Sequence, residues 1–162
     1  MEKKKRTYNR DQALYRVAAL CSKCEQCSGD IRAKLNDWEL NEDEIDEIII
    51  YLKAEKYLDD NRYACAYCRD KARFDGWGRI KIAYNLRQKG LAKFTIEDAM
   101  ATINDNDYRE RLFELLKAKA RTLNGKDTYK AKASLYRFAT SRGFESDIIF
   151  PMLTKILGND LD

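Results

Sequence analysis

Five cysteines stand in two runs of helical spacing, Cys21-x-x-Cys24-x-x-Cys27 and Cys65-x-x-Cys68, in a chain of 162 residues that has no histidine. Thiolates at such spacing are what a structural zinc or an iron–sulfur cluster requires. Without histidine, a tetrahedral zinc would have to draw all four ligands from cysteine. The same i, i+3 step also marks a stripe along one side of a helix, where a free thiol packs as a small hydrophobe. Cys21 continues the apolar face of Leu14, Val17 and Ala18, and Cys65 and Cys68 fall where a helix needs small apolar side chains. Packing is therefore the reading taken, and neither a metal nor another cofactor is expected. The carboxylate pair Asp59-Asp60 has the composition of an acid–base couple, yet it opens a helix, where the N-terminal dipole favours acidic side chains. With no histidine the commonest general base is missing. No glycine-rich phosphate loop of the Walker kind is present either. No catalytic residue, and no enzyme, is expected.

The elements that position these residues come from a threefold repeat. Ile31, Leu35, Leu40, Ile45, Ile48, Ile49 and Leu52 share one set of offsets with Ile82, Leu86, Leu91, Ile96, Ala99, Met100 and Ile103. Leu135, Ala139, Phe144, Ile149, Met152, Leu153 and Ile156 follow the same offsets again. Steps of three and four are helical, and the single step of five between the second and third positions breaks the period at a corner. Each copy is therefore a pair of helices. A further amphipathic helix precedes each pair, over about Asp11–Lys23, Asp60–Phe74 and Tyr108–Leu123. The expected fold is all-α, with three tandem three-helix units over 11–57, 58–106 and 107–162. Residues 1–10 are expected to form a basic, disordered arm that adds nonspecific affinity for DNA.

Several boundaries have a local cause. Asn41 and Glu44 form a capping-box pair, with Leu40 and Ile45 placed as a hydrophobic staple. Asp59 is placed to cap the fourth helix, with Leu58 and Tyr63 at the staple positions. Gly76 and Gly78 bracket Trp77, a residue equally suited to anchoring this corner and to stacking on a partner. Gly90 and Gly143 precede Leu91 and Phe144, where a helix ends in a left-handed residue. Glu39 occupies that slot in the first copy, so the corner there is expected to differ. Pro151 lies about five residues into the last helix, which is expected to begin late or to kink.

Composition narrows the function. Hydrophobic residues reach 44% and charged residues 36%, the balance of helices with narrow buried stripes and broad solvated faces. Seven glycines and one proline leave little material for the turns of an all-β chain. No apolar run of about 18 residues exists to span a membrane, and the basic N-terminus lacks the apolar region of a secretory signal. A cytoplasmic, monomeric protein — one without membrane attachment — is the expectation. The net charge is only +4, but the charges are segregated. Residues 30–60 carry eleven acidic and four basic side chains, 69–93 carry eight basic and two acidic, and 117–142 carry eight basic and one acidic. Such blocks suit a polyanion or a partner surface of mixed sign.

Tyr57-Leu-Asp-Asp-Asn-Arg-Tyr-Ala64, Gly76-Trp-Gly-Arg-Ile80 and Leu86-Arg-Gln-Lys-Gly-Leu91 resemble the RecX family of recombination regulators. Glu25, Asp30-Ile-Arg-Ala-Lys-Leu35 and Ser141-Arg-Gly-Phe144 extend the resemblance from about Asp11 to Leu157. It implies a crescent of three three-helix units, an elongated and curved array, that lodges in the groove of the RecA filament. It also implies restraint of ATP hydrolysis and strand exchange there, and some direct binding of single- or double-stranded DNA. Two residues depart from the family pattern: Cys27 stands where a capping serine is usual, and Glu39 where a corner glycine is usual.

The repeat register separates buried from outward positions. Lys81, Tyr84, Arg87 and Gln88 face outward from the helix holding Ile82 and Leu86. Their equivalents are Asp30, Ala33, Asn36 and Asp37 in the first unit, and Ser134, Arg137, Thr140 and Ser141 in the third. The second and third units are therefore expected to supply the anionic-surface contacts. Arg69, Lys71, Arg73, Arg79, Lys81, Tyr84 and Arg87 come from the second, and Lys130, Lys132, Arg137 and Arg142 from the third. The alternative reading is a stand-alone DNA-binding module of helix-turn-helix-like units.

Overall fold

The computed structural model describes residues 7–125 and 127–158. Among them are nine α-helices and no strand. In chain order these are α1 (Arg10–Lys23), α2 (Ser28–Asp37), α3 (Glu42–Ala54), α4 (Asp60–Arg73), α5 (Arg79–Gln88), α6 (Lys93–Ala101), α7 (Asp105–Arg121), α8 (Thr128–Ser141) and α9 (Ser146–Leu157). The repeat positions do build the interior. All seven are buried in the first copy, five in the second and six in the third, with Met100, Ile103 and Ile156 half-buried.

The chain packs as two compact units, one running to Ala66 and including Leu86–Ile96, the other formed by Tyr67–Asn85 and the chain from Glu97 onward. In the first, α1, α2 and α3 close on Ala13, Val17, Ile31, Leu35, Ile45, Ile48 and Leu52, none of which is accessible. Cys21 packs against this core beside Leu14 and Ala18, as the spacing requires. In the second, α7, α8 and α9 close on Leu112, Leu116, Leu135, Ala139, Phe144, Ile149 and Leu153. Each such large side chain contributes about 1.5–3 kcal/mol by leaving water.

All three corners use one geometry. The Leu40, Leu91 and Phe144 amides donate to the Leu35, Leu86 and Ala139 carbonyls at 3.2, 3.3 and 3.2 Å. The residue before each is left-handed, with φ of 64° at Glu39, 81° at Gly90 and 88° at Gly143. The first corner therefore does not differ, contrary to the expectation from Glu39. Its helix-ending hydrogen bonds and the buried Leu40 hold a glutamate where a glycine fits better. A left-handed side chain costs roughly 1–2 kcal/mol. Glu39→Gly should therefore raise stability toward denaturant by about 1 kcal/mol; an unchanged midpoint would mean that the corner is not strained.

Helix ends explain the other differences. Asn9 caps α1 in a reciprocal box with Gln12, at 2.9 and 3.0 Å. The Tyr8 ring stands edge-on to Trp38 with centroids 4.9 Å apart. Tyr8, Asn9 and Arg10 thus belong to the first unit and not to an arm; residues 1–6 of that arm lie outside the described residues. The Asn41–Glu44 box forms as expected, at 2.9 and 3.1 Å. The last helix does not start late: α9 begins at Ser146 and runs through Pro151. Pro151 and Asp147, whose carbonyl loses its donor, are both exposed, on the side of the helix away from the buried Ile148, Ile149, Met152 and Leu153.

Candidate partner-binding faces

A helix begins with amides that lack partners, and the repeats meet this need by docking on one another. In the second compact unit the Gly78 amide donates to the Arg142 carbonyl at 2.7 Å and the Ile80 amide to the Gly143 carbonyl at 3.0 Å. Between them the Arg79 amide donates to the Tyr108 hydroxyl at 2.9 Å. The start of α5 therefore sits on the α8–α9 corner. A Cβ on Gly78 would collide with the backbone of Gly143 and Phe144, and one on Gly143 with Lys81.

The first unit repeats the arrangement one step earlier. A Cβ on Gly29 would strike the Lys89 carbonyl at the α5–α6 corner. The Lys89 ammonium meets Asp30 at 2.8 Å. Although burial works against the charge, that hydrogen bond holds Lys89 above its ordinary pKa. Cys27 does cap α2, its Sγ accepting from the Asp30 amide at 3.4 Å, but a thiol sulfur is a weak acceptor. Asp60 serves the same helix start: its carboxylate accepts from the Ser28 amide at 2.8 Å and from the Ser28 hydroxyl at 2.6 Å. Asp59 caps α4, accepting from the Arg62 amide at 3.0 Å. The pair read as a helix opening thus divides its work, one carboxylate on its own helix and one on a helix 32 residues earlier.

The five cysteines differ in depth. Cys27 and Cys68 are buried, Cys21 and Cys65 half-buried and Cys24 exposed, all with free thiols. Burial pushes the Cys27 thiol up to about 11 and also raises Cys21, so both are protonated at neutral pH, the weaker form for metal or nucleophilic work. Among the described residues no three such side chains converge on a metal-sized point.

Of the eleven cationic or aromatic positions expected to make the contacts, four are half-buried and held within the molecule. Arg79 meets Asp105 at 3.0 Å and Glu145 at 3.4 Å, with its guanidinium carbon 4.0 Å from the Tyr108 ring centre. Glu145 also accepts from the Tyr108 hydroxyl at 2.8 Å. Hydrogen bonds from Arg109 and then Arg79 hold the Asp105 carboxyl below its ordinary value. Lys71 pairs with Asp75 at 2.7 Å, and Lys71 and Lys81 lie 4.7 and 4.2 Å from the Trp77 ring. Trp77 is therefore half-buried under two ammonium groups at its corner. Arg142 donates to the Asp75 carbonyl at 3.1 Å and covers the Phe138 ring at 4.9 Å.

The others point outward. On α5, Tyr84 is 55% exposed beside exposed Arg87, and Ile80, which the register passed over, shares that face at 56%. On α8, Lys130 and Arg137 lie seven residues apart on one exposed stripe, flanked by Lys132 and by Tyr129. Lys130 has one distant acid, Asp127 at 4.0 Å; Arg87, Lys132 and Arg137 have no ion pair among the described residues. Arg69 lies 3.5 Å from Asp70 and Arg73 rests 5.6 Å from the Phe74 ring, both exposed.

Two family models match this architecture: "RecX, second three-helix domain" over residues 59–100, and "RecX, third three-helix domain" over 106–153. Together they cover more than half of the chain. The chain belongs to the RecX family. Regulatory protein RecX of Clostridium botulinum (strain Eklund 17B / Type B) is 35% identical over 133 residues, 81% of this chain and 62% of that protein. Its counterpart in Clostridium beijerinckii is 29% identical over 135 residues, 82% of this chain and 62% of the relative. This chain thus spans less than two thirds of the length of those relatives. In fold it is similar to the crystal structure of RecX from Lactobacillus salivarius, with a TM-score of 0.82 at 22% identity over 91% of this chain and 96% of that one. RecX is a family of regulatory proteins. Among the described residues no helix is long and apolar enough to cross a membrane.

Proposed function

We propose that this RecX-family chain binds the RecA nucleoprotein filament and modulates, mostly by inhibition, its ATPase, recombinase and coprotease activities in DNA repair and the SOS response. It acts by surface complementarity, without chemistry of its own and without a cofactor, as a monomer that also binds single- or double-stranded DNA more weakly. The observation that supports this reading is the outward face of α8. There Lys130, Lys132 and Arg137 are exposed on a helix whose buried stripe, Leu135 and Ala139, repeats that of the acidic first unit. A face that varies over a constant core is the pattern of partner selection by charge.

The test is RecA ATPase on single-stranded DNA with increasing amounts of this protein. ATP turnover should fall to a plateau, and the amount needed should rise with salt as exposed cations are screened. Turnover that never falls, at any ratio or salt, overturns the reading. A stand-alone DNA-binding module would instead bind the bare DNA as tightly as it binds the filament in a parallel anisotropy titration.

A further inference from the structure

The first compact unit contains a groove that none of the roles above occupies. It lies between α1 and the end of α2 and has a volume of about 730 Å³. Two stripes run along α1. Ala13 and Val17 are buried, with Leu14, Ala18 and Cys21 packed beside them on the core. Tyr15, Arg16, Ala19 and Leu20 recur at helical spacing on the groove side, and Tyr15 is 79% exposed. The opposite wall is Trp38 at the end of α2, with Lys34 one turn before it. Ring contacts hold these side chains in order. The Arg16 guanidinium carbon lies 4.4 Å from the Tyr8 ring centre, Tyr8 stands edge-on to Trp38, and the Lys34 ammonium lies 5.7 Å from the Trp38 ring centre. Side chains ordered before a partner arrives lower the entropy cost of binding it.

Charge selects the occupant. Arg16 and Lys34 are exposed, and neither has an ion pair among the described residues. The single acid of the lining, Asp11, is already paired with Arg10 at 3.4 Å. Two accessible cations therefore stand beside apolar surface, in a unit whose residues 30–60 carry eleven acidic and four basic side chains. A polynucleotide fits that setting poorly. Its phosphates need a continued track of cations, and the residues on either side of Trp38, Asp37 and Glu39, are exposed acids. A segment with one apolar side and one or two carboxylates fits well. The carboxylates meet the guanidinium and the ammonium, and the apolar side covers Tyr15, Leu20 and Trp38. Tyr, Trp and Arg are also the side chains that most often carry the energy of protein–protein contacts. We propose that the α1–α2 groove docks an acidic amphipathic helix of a protein partner. The proposal rests on the filament reading only for the partner being a protein, and it adds a contact made by the acidic first unit.

The probe is the peptide acetyl-Leu-Glu-Ala-Leu-Leu-Glu-Ala-Leu-amide, whose leucines share one helical face with the glutamates beside them. It is titrated into the full chain labelled with nitrogen-15 and followed by NMR. Of the indole N–H signals of Trp38 and Trp77, that of Trp38 should shift and saturate while that of Trp77 stays in place. Binding should weaken at least about tenfold when both glutamates are replaced by glutamine, and likewise in Lys34→Gln, because each change removes a charge-assisted contact. A second variant guards against misfolding. Ala19→Glu, at an exposed helical position, sets a carboxylate in the groove and should abolish peptide binding while the remaining amide spectrum is unchanged. No saturable Trp38 shift, an equal response to the glutamine peptide, or a stronger one to oligothymidylate would overturn the proposal. So would a Trp38 signal that moves with the concentration of the chain alone, which assigns the groove to a second copy. Because RecA is absent from this titration, its failure beside a wild-type chain that still lowers RecA ATPase removes the groove alone and leaves the filament reading standing.

Discussion

Gly143→Ala is expected to lower the melting temperature by roughly 8–24 °C, and Gly90→Ala by only about 2–4 °C, although the two glycines hold the same place in the repeat. Both are left-handed, with φ of 88° and 81°, and both precede the same helix-ending hydrogen bond. A side chain at either therefore brings a backbone penalty of about 1 kcal/mol. What separates them is what a Cβ would meet: nothing within 4 Å at Gly90, but the Lys81 backbone and Cβ at Gly143. Relieving that overlap must push the start of α5 off the corner. Overpacking of this kind costs about 1–3 kcal/mol, and each of the amide bonds from Gly78 and Ile80 is worth about 1 kcal/mol more. In a chain of this size one kcal/mol moves the midpoint by about 2–4 °C. Circular dichroism melts of the two variants decide it. Equal losses would mean that the contact between α5 and the α8–α9 corner does not hold the repeats together.

That contrast also marks where sequence reading stops. The buried stripe was legible because period 3.6 is a local property: Ile31, Ile82 and Leu135 announce their face by their own neighbours. Caps built within four residues were legible for the same reason, as at Asn41. Asp60 was read as serving its own helix because nothing near it in sequence points to Ser28. Arg79 was read as a free cation because its partners, Asp105 and Glu145, are 26 and 66 residues away. Glu39 misled in the opposite sense. A left-handed corner prefers glycine without requiring it, so the residue type suggested a change of geometry where the surrounding hydrogen bonds tolerate the glutamate.

The same distinction between engaged and free cations fixes the functional test with the largest expected effect. Reversal of Lys81 or Arg79 would confound binding with folding, because Lys81 covers Trp77 and Arg79 bridges two carboxylates. Arg87 and Arg137 are exposed and have no ion pair among the described residues, and exposed Lys130 has only Asp127 at 4.0 Å, so the triple change to glutamate should leave the melting temperature within about 2 °C of the parent. Inhibition of RecA ATPase should then require roughly a hundredfold more protein, since like charges set against a complementary surface cost several kcal/mol and about 1.4 kcal/mol is tenfold. The matched control reverses Lys23, Lys53 and Lys56, exposed cations of the acidic first unit, and removes the same formal charge. Long-range attraction depends on total charge and is screened beyond about 8–10 Å, so it would weaken both variants alike and vanish with salt. Contact at the outward faces of α5 and α8 predicts loss in the first variant only, persisting at physiological salt. If both retain full inhibition, the basic faces are solvated surface, and the filament must be held through other contacts, apolar or acidic.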